Sequence, residues 1–185
     1  MILMRHAETV FNVVFGATRQ DPGIEDPPLT PRGRDQARIA AGELKSEGDV
    51  RRIITSPYSR ALETAEILSK ALELPVSVDP LVRERMKFAC DIGSPRSALR
   101  QRWPAFGFDT IDEVWWSHTE EAGDTLHTRA RAFCTAMAGL PDWSKTIVIT
   151  HWGVVRSLTG ERIQNCERIR IDPTRAGALV PPFDP

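Results

Sequence analysis

The chain is short of the features that mark disulfide scaffolds, metal proteins, membrane spans and nucleic-acid binders. It has three cysteines, Cys90, Cys134 and Cys166, odd in number and far apart. That pattern fits neither a disulfide framework nor a zinc site. No HxxxH pair and no carboxylate cluster suggests a metal centre. No apolar run approaches the roughly 20 residues that a spanning helix needs. Basic and acidic residues nearly balance, 24 against 25, for a formal net charge of −1. Such a balance gives no reason to expect nucleic acid or an anionic membrane as partner. The first residues run straight into a strand-like segment, so no signal peptide is expected and the cytoplasm is the default location. Neither an internal repeat nor a domain linker is visible.

What is present is ordinary globular material. The 185 residues are 41% hydrophobic and 26% charged, enough for one domain over residues 1–185 with a real core. Thr30-Pro31 reads as a helix start, an N-cap hydroxyl followed by proline at the first helical position. Ala37, Ala40, Ala41 and Leu44 follow at helical spacing, and Gly48 can close the helix. Ser56-Pro57 repeats the start signal, with Ala61, Ala65, Leu68 and Leu72 as the buried stripe. Ser94-Pro95 opens a shorter helix carrying Leu99. A long helix is expected over residues 121–138, with Ala130, Phe133, Cys134 and Met137 inward, and another from Gly153 to Leu158. Strands are expected at Ile2–Met4, Ile53–Ser56, Val76–Val78 and Ile147–Thr150, with a last one at Arg168–Ile171. Strands alternating with helices predict an α/β fold with a mainly parallel sheet and helices on both faces, three layers in all. Residues 13–29 and 103–120 carry little regular signal and read as long loops, and the Pro-rich tail 181–185 as irregular.

The chemistry gathers where the strands stop. Ile2–Met4 delivers Arg5 and His6, Ile53–Ser56 leads to Arg60, Val76–Val78 leads to Glu84, and Ile147–Thr150 ends on His151. Ligands of open α/β sheets bind beyond the carboxyl ends of the strands. Two His, two Arg and one Glu, each just past a strand, therefore belong to one site.

The segment Arg5-His6-Ala7-Glu8-Thr9 resembles the RHGET signature of the histidine phosphatase superfamily, the phosphoglycerate mutase-like enzymes. LTPRGRDQA resembles that family's first helix start, SPYSRALETA its second block, and ITHWGVVRSLTG its late histidine block. LVRERMK resembles its L-x-E block. These segments occur in the family's order from residue 3 to about residue 160.

The resemblance implies a phosphoglycerate mutase-like fold, phosphohistidine chemistry, and neither metal nor other cofactor. His6 would be the nucleophile, a neutral imidazole forming a covalent intermediate. Arg5 and Arg60 would grip the phosphoryl oxygens with guanidinium forks. His151, protonated beside phosphate, would donate a further hydrogen bond, with Trp152 and Gly153 amides adding donors. Asn12 resembles the phosphate-contacting Asn; its alternative is a loop cap. Glu84 would be the general acid, with a surface ion pair as its alternative and Asp91 as the fallback acid. Glu8 and Thr9 would orient the loop.

Cys90, Asp91, Trp115, Trp116 and Trp152 are candidates for the substrate pocket, Trp152 standing where the family has a small residue. His118 is a weaker candidate, and His127 reads as structural. The expected activity is hydrolysis of a small phosphorylated metabolite. A mutase, or an anion-binding module without turnover, are the alternatives.

Overall fold

The computed structural model describes residues 1–175; the Pro-rich tail at 181–185 lies outside them. Five strands form one sheet: β1 (Ile2–Arg5), β2 (Arg52–Thr55), β3 (Val76–Val78), β4 (Thr146–Thr150) and β5 (Arg168–Arg170). Their order across the sheet is β3-β2-β4-β1-β5, with every pairing parallel except the antiparallel edge between β1 and β5. Six helices accompany them: α1 (Val10–Thr18), α2 (Pro31–Glu47), α3 (Ser59–Leu72), α4 (Arg96–Arg102), α5 (Gly123–Ala138) and α6 (Trp152–Thr159).

Side-chain alternation along the strands builds the two cores. Ile2, Met4, Ile53, Ile147 and Ile149 face one way and pack under Ala37, Ala41 and Leu44 of α2 and Ala61, Ala65 and Leu68 of α3. Leu3, Ile54 and Val148 face the other way, against Leu126, Phe133 and Met137 of α5 and Val154, Val155 and Leu158 of α6. Both faces are therefore covered, as a parallel sheet requires. The three layers expected from the sequence are present.

Two helix boundaries show how the chain is punctuated. The Thr30 side chain accepts from Gly33 N at 2.9 Å, with Pro31 at the first helical position, and Gly48 closes α2 at φ 66°. Ser56-Pro57, which carries the same signal, does not cap α3. The helix starts two residues later, and its cap comes from far away. Asp26 accepts from Ser59 N at 2.8 Å and from Ser59 Oγ at 2.6 Å. A carboxylate there also offsets the positive end of the helix dipole. Ser56 is thereby left for another task in the site.

Helix α1 runs into the 13–29 stretch expected to be loop, over its residues 13–18. Its run of Val10, Phe11, Val13, Val14 and Phe15 is β-branched and aromatic, a composition of modest helix propensity. A capping box closes its start: Asn12 N donates to Thr9 Oγ1 at 3.2 Å and Thr9 N donates to Asn12 Oδ1 at 3.0 Å. Asn stands where Glu or Gln is the usual signal.

The register places the site. Arg5 lies opposite Thr150 and Thr55 opposite Ile149. His6 N donates to Thr150 O at 2.9 Å, and Ser56 N to Ile149 O at 3.0 Å. The carboxyl ends of β1, β4 and β2 thus stop level with one another. His6, His151 and Ser56 leave them side by side.

Candidate active site

His6 is buried at the end of β1, 4% exposed. Its Nδ1 lies 2.8 Å from Ala7 O. A carbonyl oxygen only accepts, so Nδ1 carries the proton and Nε2 keeps its lone pair. Burial, then the charges of Arg60 and Arg5, hold the imidazole pKa well below its ordinary 6.5. The ring is therefore neutral, with its nucleophilic nitrogen fixed. The loop beyond it is tied to neighbouring helices. Ala7 N donates to Thr64 Oγ1, Glu8 N to Gln36 Oε1, and Thr30 N to Glu8 O.

Arg60, the second residue of α3, is 3% exposed. Its guanidinium donates to Cys90 O at 2.6 Å and to Asp91 Oδ1 at 3.1 Å, and lies over the Tyr58 ring at 4.1 Å. Tyr58 in turn donates to Asp91 O at 2.6 Å. Asp91 thus anchors Arg60. Its other oxygen accepts from Lys87 N and Phe88 N, and burial raises its pKa above the ordinary 3.8. Arg5 donates to Ile163 O at 3.1 Å, while its buried Nε has no partner among the described residues.

Glu84 follows the short 3-10 turn Pro80–Val82. Its carboxylate accepts from Arg85 N at 2.9 Å and, with both oxygens, from Gly153 N at 3.1 Å. Burial first, and the nearby Asp91 charge second, raise its pKa above the ordinary 4.5. That is the direction a general acid needs. The Gly153 amide, expected to face phosphate, faces Glu84 instead. A surface ion pair, the alternative reading of Glu84, is not what the structure shows.

Arg129 of α5 holds the Glu84 loop, a role that the sequence reading does not assign. Its guanidinium donates to Leu81 O at 2.8 Å, Arg83 O at 2.7 Å and Glu84 O at 3.0 Å. Two further bonds pair it with Glu121 at 2.7 and 2.6 Å. Both side chains are buried, 8% and 3% exposed. An inward Arg at position 129, beside Ala130 and Phe133 on a core-facing helix, was the available signal.

His151 is fully buried, its ring centroid 5.1 Å from that of His6. Ser56 Oγ lies 2.8 Å from its Nε2, and its Nδ1 has no partner among the described residues. A Ser56 hydroxyl donating to Nε2 leaves the proton on Nδ1, available to an anion. Burial, then Arg60 and His6, lower the pKa well below 6.5. The surroundings without an anion thus favour a neutral ring, and a phosphate beside it would shift the balance back toward the protonated form.

These groups border a cavity of about 770 Å³. Arg5, His6, Arg60 and Glu84 line it, together with Asn12, Cys90, Asp91 and Trp152, whereas His151 lies behind the lining. Asn12 Oδ1 is taken by the α1 cap and by Asn165 Nδ2 at 3.2 Å, so the capping alternative describes that atom. Trp115 and Trp116 do not line the cavity. Trp115 is 7% exposed, packs edge-on against Tyr58 and donates to Ser94 O at 2.9 Å. The 103–120 stretch is a small third core built with Tyr58, Leu99, Trp103 and Phe108, not a roof over substrate. His118 is exposed outside the cavity, and His127 binds Ser157 from α5.

Comparison with known proteins agrees with this geometry. The model of the histidine phosphatase superfamily (branch 1) matches residues 1–178. The chain belongs to the histidine phosphatase superfamily. Among curated relatives, a probable phosphoglycerate mutase GpmB of Yersinia enterocolitica is 30% identical over 93% of this chain and 84% of its own. Among solved structures, the ecdysone phosphate phosphatase of Bombix mori, in complex with tungstate, superposes with TM-score 0.70 at 17% identity, covering 100% and 93% of the two chains. A mycobacterial glucosyl-3-phosphoglycerate phosphatase gives TM-score 0.62 at 22% identity over 91% and 87%. At those identities the structural matches establish the histidine phosphatase fold. Superfamily members include both phosphatases and mutases, and the fold is common to them.

Proposed function

We propose that the chain hydrolyses phosphomonoesters through a phosphohistidine on His6. The observation that carries this reading is the Nδ1–H bond of His6 to Ala7 O, which leaves Nε2 as an unprotonated nucleophile beside Arg5 and Arg60. In the first step the Nε2 lone pair forms a bond to phosphorus, the ester P–O bond breaks, and Glu84 gives its proton to the departing oxygen. In the second, water attacks the phosphoryl group, its proton goes to Glu84, and the N–P bond breaks to release inorganic phosphate. Arg5 and Arg60 balance the charge on the equatorial oxygens, and His151 Nδ1 adds a donor from behind. The substrate on this reading is a small phosphorylated metabolite.

The choice between water and a second hydroxyl as acceptor rests on the chain between Glu84 and His151. A mutase must grip its intermediate by a second anion while excluding water. Arg96, Arg100 and Arg102 of that stretch are turned elsewhere, to Glu113, to Asp109 and to Ser59. The mutase reading is kept as second because Arg and Lys side chains outnumber carboxylates around the cavity, and curated relatives carry a probable-mutase name. Phosphate release and 2-/3-phosphoglycerate interconversion, measured on one preparation with and without bisphosphoglycerate, separate them. Release well above interconversion is expected; interconversion well above release overturns the hydrolase.

A further inference from the structure

The cavity is far larger than a phosphoryl group needs, and its upper walls have a consistent chemistry. Helix α1 begins four residues after His6; Phe11 and Phe15, at i and i+4 of one face, and Arg19 at its C-cap border the cavity. Helix α6 begins at His151 and turns Trp152 and then Arg156 to it. In both cases an aromatic side chain comes first and an arginine one turn later. At 1.5 Å per residue, Arg19 stands roughly 12 Å beyond Phe11 along α1. Phe88 completes the aromatic wall, with its ring 5.6 Å from Phe11 and 5.1 Å from Phe15, while those two stack at 5.3 Å and 11°.

The lining is also rich in exposed cations. Arg19, Lys87 and Arg162 all border the cavity, all are exposed, and among the described residues none pairs with a carboxylate. Arg19 ends its helix in the left-handed region at φ 59°, a conformation that glycine or asparagine adopts more cheaply. The volume of about 770 Å³ lies in the upper part of the range of small-molecule sites.

We infer that the substrate is a phosphomonoester whose alcohol part is a flat apolar ring system bearing a second anionic group. The phosphoryl group sits on Arg5, His6 and Arg60, the ring against Phe15 and Phe88, and the distal anion between Arg19 and Arg162. This deepens the hydrolase reading and rests on it for the word substrate, but the subsites are testable by binding alone.

The test uses non-hydrolysable phosphonates on the full chain: methylphosphonate, biphenylmethylphosphonate, and the latter with a 4′-carboxylate, each titrated calorimetrically. The biphenyl compound should bind at least about tenfold more tightly than methylphosphonate, and the carboxylate should add about fivefold more. These are modest gains for burying apolar rings and for an exposed charge contact. Phe15→Ala should remove most of the ring gain. Arg19→Glu and Arg162→Glu should each abolish the carboxylate gain and keep the ring gain. Equal affinity for the three compounds, or weaker binding of the carboxylate, overturns the inference. So does a carboxylate gain that survives both charge reversals. Phosphate release from the matching esters is read separately. Its absence alongside the expected affinity order would sink the hydrolase reading and leave the subsites standing.

Discussion

Glu84 meets the Gly153 amide in the first turn of α6 with both carboxylate oxygens, and that contact exists because residue 153 has no Cβ. A methyl group at position 153 would overlap the Glu84 carboxylate, at Oε1 and more loosely at Cδ (3.2 Å), while the nearest atom of another residue, on Leu126, is at ordinary contact distance, 3.6 Å. The obstruction is the tip of a flexible side chain, so Gly153→Ala should fold, while moving the carboxylate. Its kinetic signature should match that of Glu84→Gln. Turnover of alkyl phosphates, whose leaving oxygen needs a proton, should fall at least about a hundredfold, the lower end of what general acid catalysis contributes. Aryl phosphates with good leaving groups should lose much less. Equal losses on the two substrate classes would show that Glu84 does not protonate the leaving oxygen. The same local reading explains Ser56 and Asp91. Each has an obvious role by sequence, a helix cap and a spare acid. Each supports a neighbour, His151 and Arg60 respectively.

At the scale of elements, α5 matters to the site without reaching it. Arg129 satisfies three carbonyls of the segment 81–84 and forms a buried pair with Glu121. Removing one partner of such a pair leaves the other charge buried. Arg129→Ala should therefore lower unfolding free energy by about 3–5 kcal/mol. Replacing both, as Arg129→Met with Glu121→Leu, should restore much of that stability in urea unfolding. Alkyl phosphate turnover should stay low, because the carbonyls of Arg83 and Glu84 still lack their donor. Full recovery of turnover in the double variant would reduce Arg129 to a folding role.

The elements also show what could be read from sequence. Thr30-Pro31 with Gly48, the alanine stripes of α2 and α3, and the strand runs obey local rules, and they appear where those rules place them. Helix α1 escaped because its residues favour strands and its capping box uses Asn12. Trp115 and Trp116 are expected in the pocket because long loops often carry function, yet packing on Tyr58 claims Trp115 for core, and Trp116 lies half-buried against Trp115. Asp26, Ser56, Glu121 and Arg129 act across 30 residues or more of chain, or through a partner that no spacing rule reveals. The residues expected at one site do gather around one cavity, with His151 just behind its lining, because the carboxyl ends of parallel strands share one edge of the sheet.

At the scale of the molecule, the sheet order inserts β4 between β1 and β2, and this brings both histidines into one buried place. That placement has a stability consequence. Both rings are held neutral by burial and by Arg60, with pKa values well below 6.5. The unfolded chain takes up protons on these groups as pH falls through 6.5, while the folded chain does not, so the fold is progressively penalised below that pH. Each histidine contributes a slope of at most about 1.4 kcal/mol per pH unit. Glu84, with its raised pKa, acts in the opposite direction above 4.5, so the histidine contribution is isolated by substitution. In His151→Asn the loss of stability between pH 7 and pH 5.5 should be smaller than in the parent; an unchanged slope would place the protonation elsewhere.

The central claim of the whole arrangement is that His6 Nε2 carries the phosphoryl group during turnover. Rapid quench of the enzyme with a labelled phosphomonoester measures this directly. The parent chain should trap label in an acid-labile, alkali-stable form. His6→Ala should trap none and lose at least about a thousandfold in kcat, as expected when a nucleophile is removed. Label trapped in the His6→Ala protein, or near-native turnover by it, would contradict the phosphohistidine mechanism.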